Sequence, residues 1–353
     1  MAVQQLHHVA YRCNDAKETA DFYTKLLGLE YYAAVSEDTI PSTGEKCLYM
    51  HIFFAMADGS CVAFFEVPEA PPAIKDTNTP AWVQHLALVV EDEDEQLEKK
   101  AKLEAAGVDV INLSVGEPDF QTPENIRLAG KQAIDDGHTR YTPGGGTMDL
   151  KKAVIEKLSR DNDLQYDTSQ ILISCGGKHS LYNACQVLFQ TGDEVIIFSP
   201  YWVSFPDFVS VTGAKPVFVN TNPSQQYEPV MDDLKTKISS RTKGIIINSP
   251  SNPTGGVWSD ETVLKILELA EKADAWVFSD ECYEQLTYDR TYVSTALLGE
   301  NTEKVLTFQS CSKTYAMTGW RIGYTAGNAK VIKAMGKLQG QSTSCPNSIA
   351  QAA

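Results

Sequence analysis

Ser310-Cys311-Ser312-Lys313-Thr314-Tyr315-Ala316-Met317-Thr318-Gly319-Trp320-Arg321-Ile322-Gly323-Tyr324 is the most informative stretch of this 353-residue chain. It lies between two short apolar runs, Val305–Ser310 and Ile322–Ala326, which read as strands. Working outward, further strand candidates fall at Ile171–Ser174, Glu194–Pro200, Pro216–Val219, Gly244–Pro250 and Ala275–Asp280. Amphipathic stretches such as Ser180–Phe189 and Glu261–Ala273 separate several of them. Short apolar strands alternating with helices favour an α/β fold, with a mostly parallel sheet covered on both faces. Ligands of such sheets gather in the loops beyond the strand ends, and the chemistry-bearing residues of this region fall in those loops.

Three more segments stand out at strand ends. Val277-Phe278-Ser279-Asp280-Glu281-Cys282-Tyr283 puts an acid after an apolar run, 33 residues before Lys313. Asn248-Ser249-Pro250-Ser251-Asn252-Pro253-Thr254-Gly255 is turn chemistry. Ser174-Cys175-Gly176-Gly177-Lys178 is a strand-to-helix junction whose free N–H groups suit a phosphate. Together with the opening stretch, these resemble the fold-type I pyridoxal-phosphate aminotransferases of the aspartate aminotransferase family (class I/II).

The resemblance implies a large domain with a seven-stranded, mostly parallel sheet over residues 110–353, without the family's N-terminal arm and much of its C-terminal small domain. It also implies pyridoxal 5'-phosphate as cofactor and amino-group transfer between an L-amino acid and a 2-oxo acid. Lys313 is then the Schiff-base lysine, since a primary amine is what condenses with the cofactor aldehyde, and afterwards the proton carrier. Asp280 holds the proton on the ring nitrogen, and Tyr283 hydrogen-bonds the phenolic oxygen. Arg321, Ser310 and Ser312 take the phosphate, with Gly177 and Lys178 at the helix start. Trp202 stacks on the ring, Asn252 lies beside the phenolic oxygen near the substrate carboxylate, and Gly116 lines the substrate side. Tyr141 is expected to reach the phosphate of a neighbouring subunit, implying a homodimer. The arginine that grips the substrate α-carboxylate in this family has no counterpart among the residues here.

Residues 1–109 read differently. They hold most of the charge imbalance: up to residue 110 there are 8 Lys/Arg against 19 Asp/Glu, or −11 of the chain's −16. An internal repeat is visible. His8-Val9-Ala10 with Asp15 and Leu27-Gly28 is echoed by His85-Leu86-Ala87 with Asp92 and Gly107, the histidines 77 apart. The first copy continues through apolar runs Cys47–Phe54 and Cys61–Val67 joined by Ala57-Asp58-Gly59-Ser60, a βαβββ pattern. It is similar to the glyoxalase/dioxygenase (vicinal oxygen chelate) family, and the resemblance implies a divalent metal on His8, Glu66 and His85. The second copy breaks off after Val110, so this domain is expected to be incomplete. The join is compatible with a genuine fusion or with a mis-joined gene. Two alternatives to transamination stay open: a metal-dependent lyase, isomerase or dioxygenase, and a non-catalytic chimeric product that binds cofactor alone.

Composition sets outer bounds. A pI near 4.8 argues against a nucleic-acid partner, and no run approaches the ~18 apolar residues of a membrane span. Eight cysteines without a CxxC pair read as reduced thiols of a cytoplasmic protein.

Overall fold

The computed structural model describes residues 7–41, 43–72, 88, 93–110 and 116–353. The chain divides into two compact units, Met1–Val115 and Gly116–Ala353.

In the first unit, strands β1 (His8–Cys13), β2 (Glu30–Thr39), β3 (Lys46–Ala55) and β4 (Cys61–Glu66) form one sheet in the order β1-β4-β3-β2. Strand alternation decides its faces. Val9, Cys13, Ile52, Phe54, Val62 and Phe64 point one way and pack with Ala16, Ala20 and Tyr23 of the helical segment after β1. His8, His51, Phe53 and Phe65 point the other way, with His51 stacked on Phe65 at 3.6 Å between ring centres. A further helix, Glu93–Ala105, is held by i,i+4 ion pairs such as Lys99–Glu95 and Lys102–Glu98.

This parity separates two of the three expected metal ligands. Glu66 shares the face of Val62 and Phe64, and its Oε2 accepts the backbone N–H of Ala16 at 2.8 Å, closing the start of helix Ala16–Asp21. His8 is on the opposite face. Register separates them further, because His8 pairs with Cys61 while Glu66 pairs with Cys13. Five residues at ~3.3 Å each put them about 16 Å apart along the strands. His85 lies outside the described residues. His8 and Glu66 therefore do not fit one ion, and no group of three or more metal-ligating side chains occurs among the described residues.

The second unit is a helix–sheet–helix sandwich. Its strands are β5 (Ile171–Ser174), β6 (Glu194–Ser199), β7 (Lys215–Asn222), β8 (Glu228–Pro229), β9 (Thr242–Asn248), β10 (Trp276–Asp280), β11 (Val305–Ser310) and β12 (Gly323–Ala326). Their order is β5-β12-β11-β10-β9-β6-β7-β8. All seven runs expected from the sequence are strands; β8, a two-residue addition at one edge, had no periodicity to announce it. The centre is parallel, but β12 runs antiparallel between β11 and β5.

Successive residues feed two cores. Ile171, Ile173, Ile196, Ile245, Ile247 and Val277 pack against Val154 and Leu158 of helix Met148–Asn162 and Ile266 of helix Asp260–Lys272. Leu172, Val195, Ile197, Ile246, Phe278 and Phe308 pack against Leu181 of helix Gly177–Leu188 and Met335 of helix Ala329–Ser342. Burial on both faces explains why these strands read as continuous apolar runs. Among the described residues no helix is long and apolar enough to cross a membrane, and all eight cysteines are free thiols.

Candidate active site

The carboxyl ends of β5, β9, β10 and β11 converge on one cleft edge, as an open α/β sheet dictates. β11 delivers Ser310, whose Oγ accepts the Ser312 N–H at 3.1 Å and starts the single turn Cys311–Thr314. That turn aims Lys313 inward. Its ammonium donates to the carbonyl of Gly116 and stands 5.9 Å from the centre of the Tyr283 ring. Ser312 is buried in the turn and contributes its backbone.

β10 ends in Asp280, which is buried and, among the described residues, accepts only a long 3.3 Å bond from the Cys282 N–H. No cation pairs with it among the described residues, and burial lifts its carboxyl to about 7. This is a carboxylate waiting for a positive partner. Asn248, at the end of β9, ties the neighbours together by donating to the Asp280 carbonyl at 3.2 Å and accepting the Asn252 N–H at 2.8 Å. Asn252 in turn donates to the Tyr283 hydroxyl at 3.4 Å. Burial, with Cys282 and Asp280 nearby, pushes that phenol up to about 12, so it stays protonated.

The third corner is made by glycines. Gly176 has φ +88° and leads into helix Gly177–Leu188, whose first N–H groups are free of intrahelical partners. A Cβ on Gly176 would come within 2.3 Å of the Arg321 Nη2, and one on Gly177 would lie 3.3 Å from the Cβ of Ser310. Free N–H groups, a guanidinium and a hydroxyl thus meet at one corner, where the absence of a side chain at Gly176 leaves room for the guanidinium. Arg321 holds its own place with a left-handed backbone (φ +58°) and a 2.7 Å bond to the Thr318 carbonyl. Such a corner takes a dianionic phosphate. Gly323 completes it, since a Cβ there would sit 2.3 Å from the Gly177 nitrogen.

Lys313, Asp280, Tyr283, Asn252, Gly116, Gly177, Ser310, Ser312 and Arg321 are thereby gathered in the cleft. Lys178 stands at the helix start with its backbone N–H toward the phosphate corner, while its ammonium lies over the Trp202 ring at 4.9 Å. Trp202 is held edge-on by Phe205 and Phe208. Tyr141 is 88% exposed and is not drawn into the cleft of its own chain. Asn248, Gly176 and Gly323 were not singled out from the sequence. Asn248 was visible as a polar residue ending an apolar strand; the two glycines show their role only through what surrounds them.

Pyridoxal phosphate fits this donor set. The glycine corner would take its phosphate, the amine of Lys313 could condense with its aldehyde, and the carboxyl of Asp280 would face a cationic ring nitrogen.

Comparisons with known proteins agree. Residues 5–113 match the family model of the glyoxalase/bleomycin resistance protein/dioxygenase superfamily, and residues 108–353 that of aminotransferase class I and II. The chain is 46% identical over 255 residues to an aspartate aminotransferase of Bacillus subtilis, covering 72% of this chain and 65% of that protein. It is 41% identical over 253 residues to an aspartate/prephenate aminotransferase of Thermus thermophilus, again covering 72% and 65%. The chain thus spans about two-thirds of the length of these curated relatives, slightly less in each case. Among solved structures, a double mutant of Thermus thermophilus aspartate aminotransferase superposes with a TM-score of 0.71 at 39% identity, over 75% of this chain and 69% of the other. An aspartate aminotransferase of Rhizobium meliloti gives 0.69 at 39% identity, over 78% and 69%. With the family model spanning residues 108–353, the chain belongs to the class I and II aminotransferases.

Proposed function

We propose that this chain binds pyridoxal 5'-phosphate at Lys313 and transfers an amino group between an L-amino acid and a 2-oxo acid. The observation that carries the reading is the buried, cation-less Asp280 on the same cleft wall as Lys313 and Tyr283.

When bound, the cofactor supplies an aldehyde for amine exchange and a cationic ring that draws electrons from the substrate Cα. Asp280 keeps the proton on the ring nitrogen, which costs little because its carboxylate gains the partner it lacks. The Tyr283 hydroxyl, protonated and supported by Asn252, donates to the ring's phenolic oxygen. The N–H groups of Gly177 and Lys178, the Ser310 hydroxyl and Arg321 anchor the phosphate. With its amine free, Lys313 would accept the Cα proton at Nζ and deliver it to the carbon that was the aldehyde's. The Gly116 carbonyl, already bonded to that ammonium, orients it. Trp202 offers its face to the ring, with Lys178 swinging aside.

A homodimer follows from the same reading, with the exposed Tyr141 turned to a second subunit's phosphate. Sedimentation velocity checks this through a mass of twice 38.8 kDa. The central test is chemical. The full chain is loaded with pyridoxal phosphate, reduced with borohydride, digested and analysed by mass spectrometry. A pyridoxyl mass on the peptide containing Lys313, absent from Lys313→Ala, is expected. Absence of that adduct from the parent chain overturns the proposal. Conversion of loaded cofactor to its amine form on adding an L-amino acid, followed in one turnover by absorbance, tests transfer itself.

A further inference from the structure

We infer that Glu284 is a positioning residue for Asp280 and Tyr283, pinning their turn to helix Met148–Asn162 through Lys157 and Asn162. The inference rests on the function proposed above.

Asp280 is the last residue of β10, and Tyr283 lies beyond the sheet. The last ladder-like link is the Glu281 N–H to the Phe308 carbonyl, at 2.9 Å. The only bond to the Tyr283 hydroxyl among the described residues is the 3.4 Å contact from Asn252, too long to fix a ring by itself. The two other acids of this turn, Glu281 and Glu284, are buried and clamped. The Glu281 carboxylate takes bonds from Ser279 at 2.8 Å, Ser294 at 2.9 Å and the Thr295 N–H at 3.1 Å. The Glu284 N–H closes the turn onto the Glu281 carbonyl at 3.0 Å.

Glu284 then forms a closed triangle. It pairs with the Lys157 ammonium and accepts Asn162 Nδ2 at 2.6 Å, while Lys157 donates to Asn162 Oδ1 at 2.8 Å. All three residues are less than 10% exposed, and Glu284 lies more than 120 positions along the chain from both partners. A buried ion pair is weak as a source of stability, because desolvation offsets its attraction. Its directional bonds are what apolar side chains cannot copy. In this arrangement they determine how far Tyr283 stands from Lys313.

The test uses full-length protein loaded with pyridoxal phosphate, comparing the parent, Tyr283→Phe, Glu284→Gln and the double variant Lys157→Met/Glu284→Met. The double variant removes both charges together but leaves Asn162 without its two partners, so it is expected to fold with a lowered melting temperature. Three readouts are taken: the Lys313 pyridoxyl adduct, the melting temperature, and the pH midpoint of the bound cofactor's visible absorption change. We expect intact adduct formation in all four, and a midpoint displaced by about 0.5 pH unit or more in both Glu284 variants, in the direction shown by Tyr283→Phe. A double variant that folds and keeps the parent's midpoint overturns the inference. So does failure of both Glu284 variants to fold, which makes the triangle a matter of stability alone. If the parent forms no adduct, the proposed function falls and takes this inference with it; an adduct with unmoved midpoints sinks the inference alone.

Discussion

Asp280→Asn should make the cofactor-free protein more stable, and increasingly so as the pH rises. Burial lifts the Asp280 carboxyl from 3.8 to about 7, so the folded chain keeps a proton that the unfolded chain has already released. Between those two values stability falls as pH rises, because the folded state binds more protons there. A raised carboxylate works in this sense, opposite to that of a salt-bridged one. At ~1.4 kcal/mol per pH unit, the whole window amounts to about 4 kcal/mol, of which about 3 kcal/mol falls between pH 5 and pH 8. The amide that replaces the carboxyl has nothing to titrate, so the variant's advantage over the parent grows by that amount across the interval. Glu281, also raised to about 7, titrates in both proteins and cancels. For a unit of this size the gap in melting temperature should widen by roughly 6–12 °C. Four of the five tryptophans (202, 258, 276 and 320) lie in the second unit, so tryptophan fluorescence during melting at the two pH values reports on it. Loading the parent with pyridoxal phosphate should close much of the gap at pH 8. A difference between variant and parent that is the same at pH 5 and pH 8 refutes the reasoning, because Asp280 would then be no buried, titrating carboxyl.

Three other outcomes follow from the geometry. Gly323→Ala places a methyl 2.3 Å from the backbone nitrogen of Gly177, which cannot move aside as a side chain can. Thermal melting should show a loss of roughly 1–3 kcal/mol or more, with weakened cofactor binding, whereas Gly340→Ala, where no atom lies within 4 Å, should leave both intact. Arg321→Met removes a charge-assisted contact of roughly 1.5–3 kcal/mol, so fluorescence titration should show about 10–100-fold weaker binding of pyridoxal phosphate with pyridoxal itself unaffected. Glu66→Ala deletes the acceptor that closes helix Ala16–Asp21; it should destabilise the first unit by about 1 kcal/mol and leave the metal content measured by plasma spectrometry unchanged.

The sequence was most readable where burial is two-sided. Runs such as Ile171–Ser174 and Val305–Ser310 are buried along their whole length, and the chemistry sits at their ends. The direction of β12 was not readable, because Gly323–Ala326 is as fully buried as its parallel neighbours and carries no mark of orientation. Glu66 was misplaced although its parity was available: it follows Val62 and Phe64 in strict alternation, and a two-residue period puts all three on the helix side. The triangle of Lys157, Asn162 and Glu284 left no local trace, since its partners meet only through the packing of helix Met148–Asn162 beneath the turn.

Antiparallel β12 has a consequence for the order in which the molecule can be built. Gly323 pairs with Ser174 on one side and with Ser310 on the other. The two lips of the anion cradle, grown from β5 and β11, become neighbours only when this late strand slides between them. On the ribosome, Gly177 therefore emerges 146 residues before Gly323, the residue that joins the two lips. An anion that needs both lips can therefore be held only after β12 has taken its place, and not by the β5 segment alone.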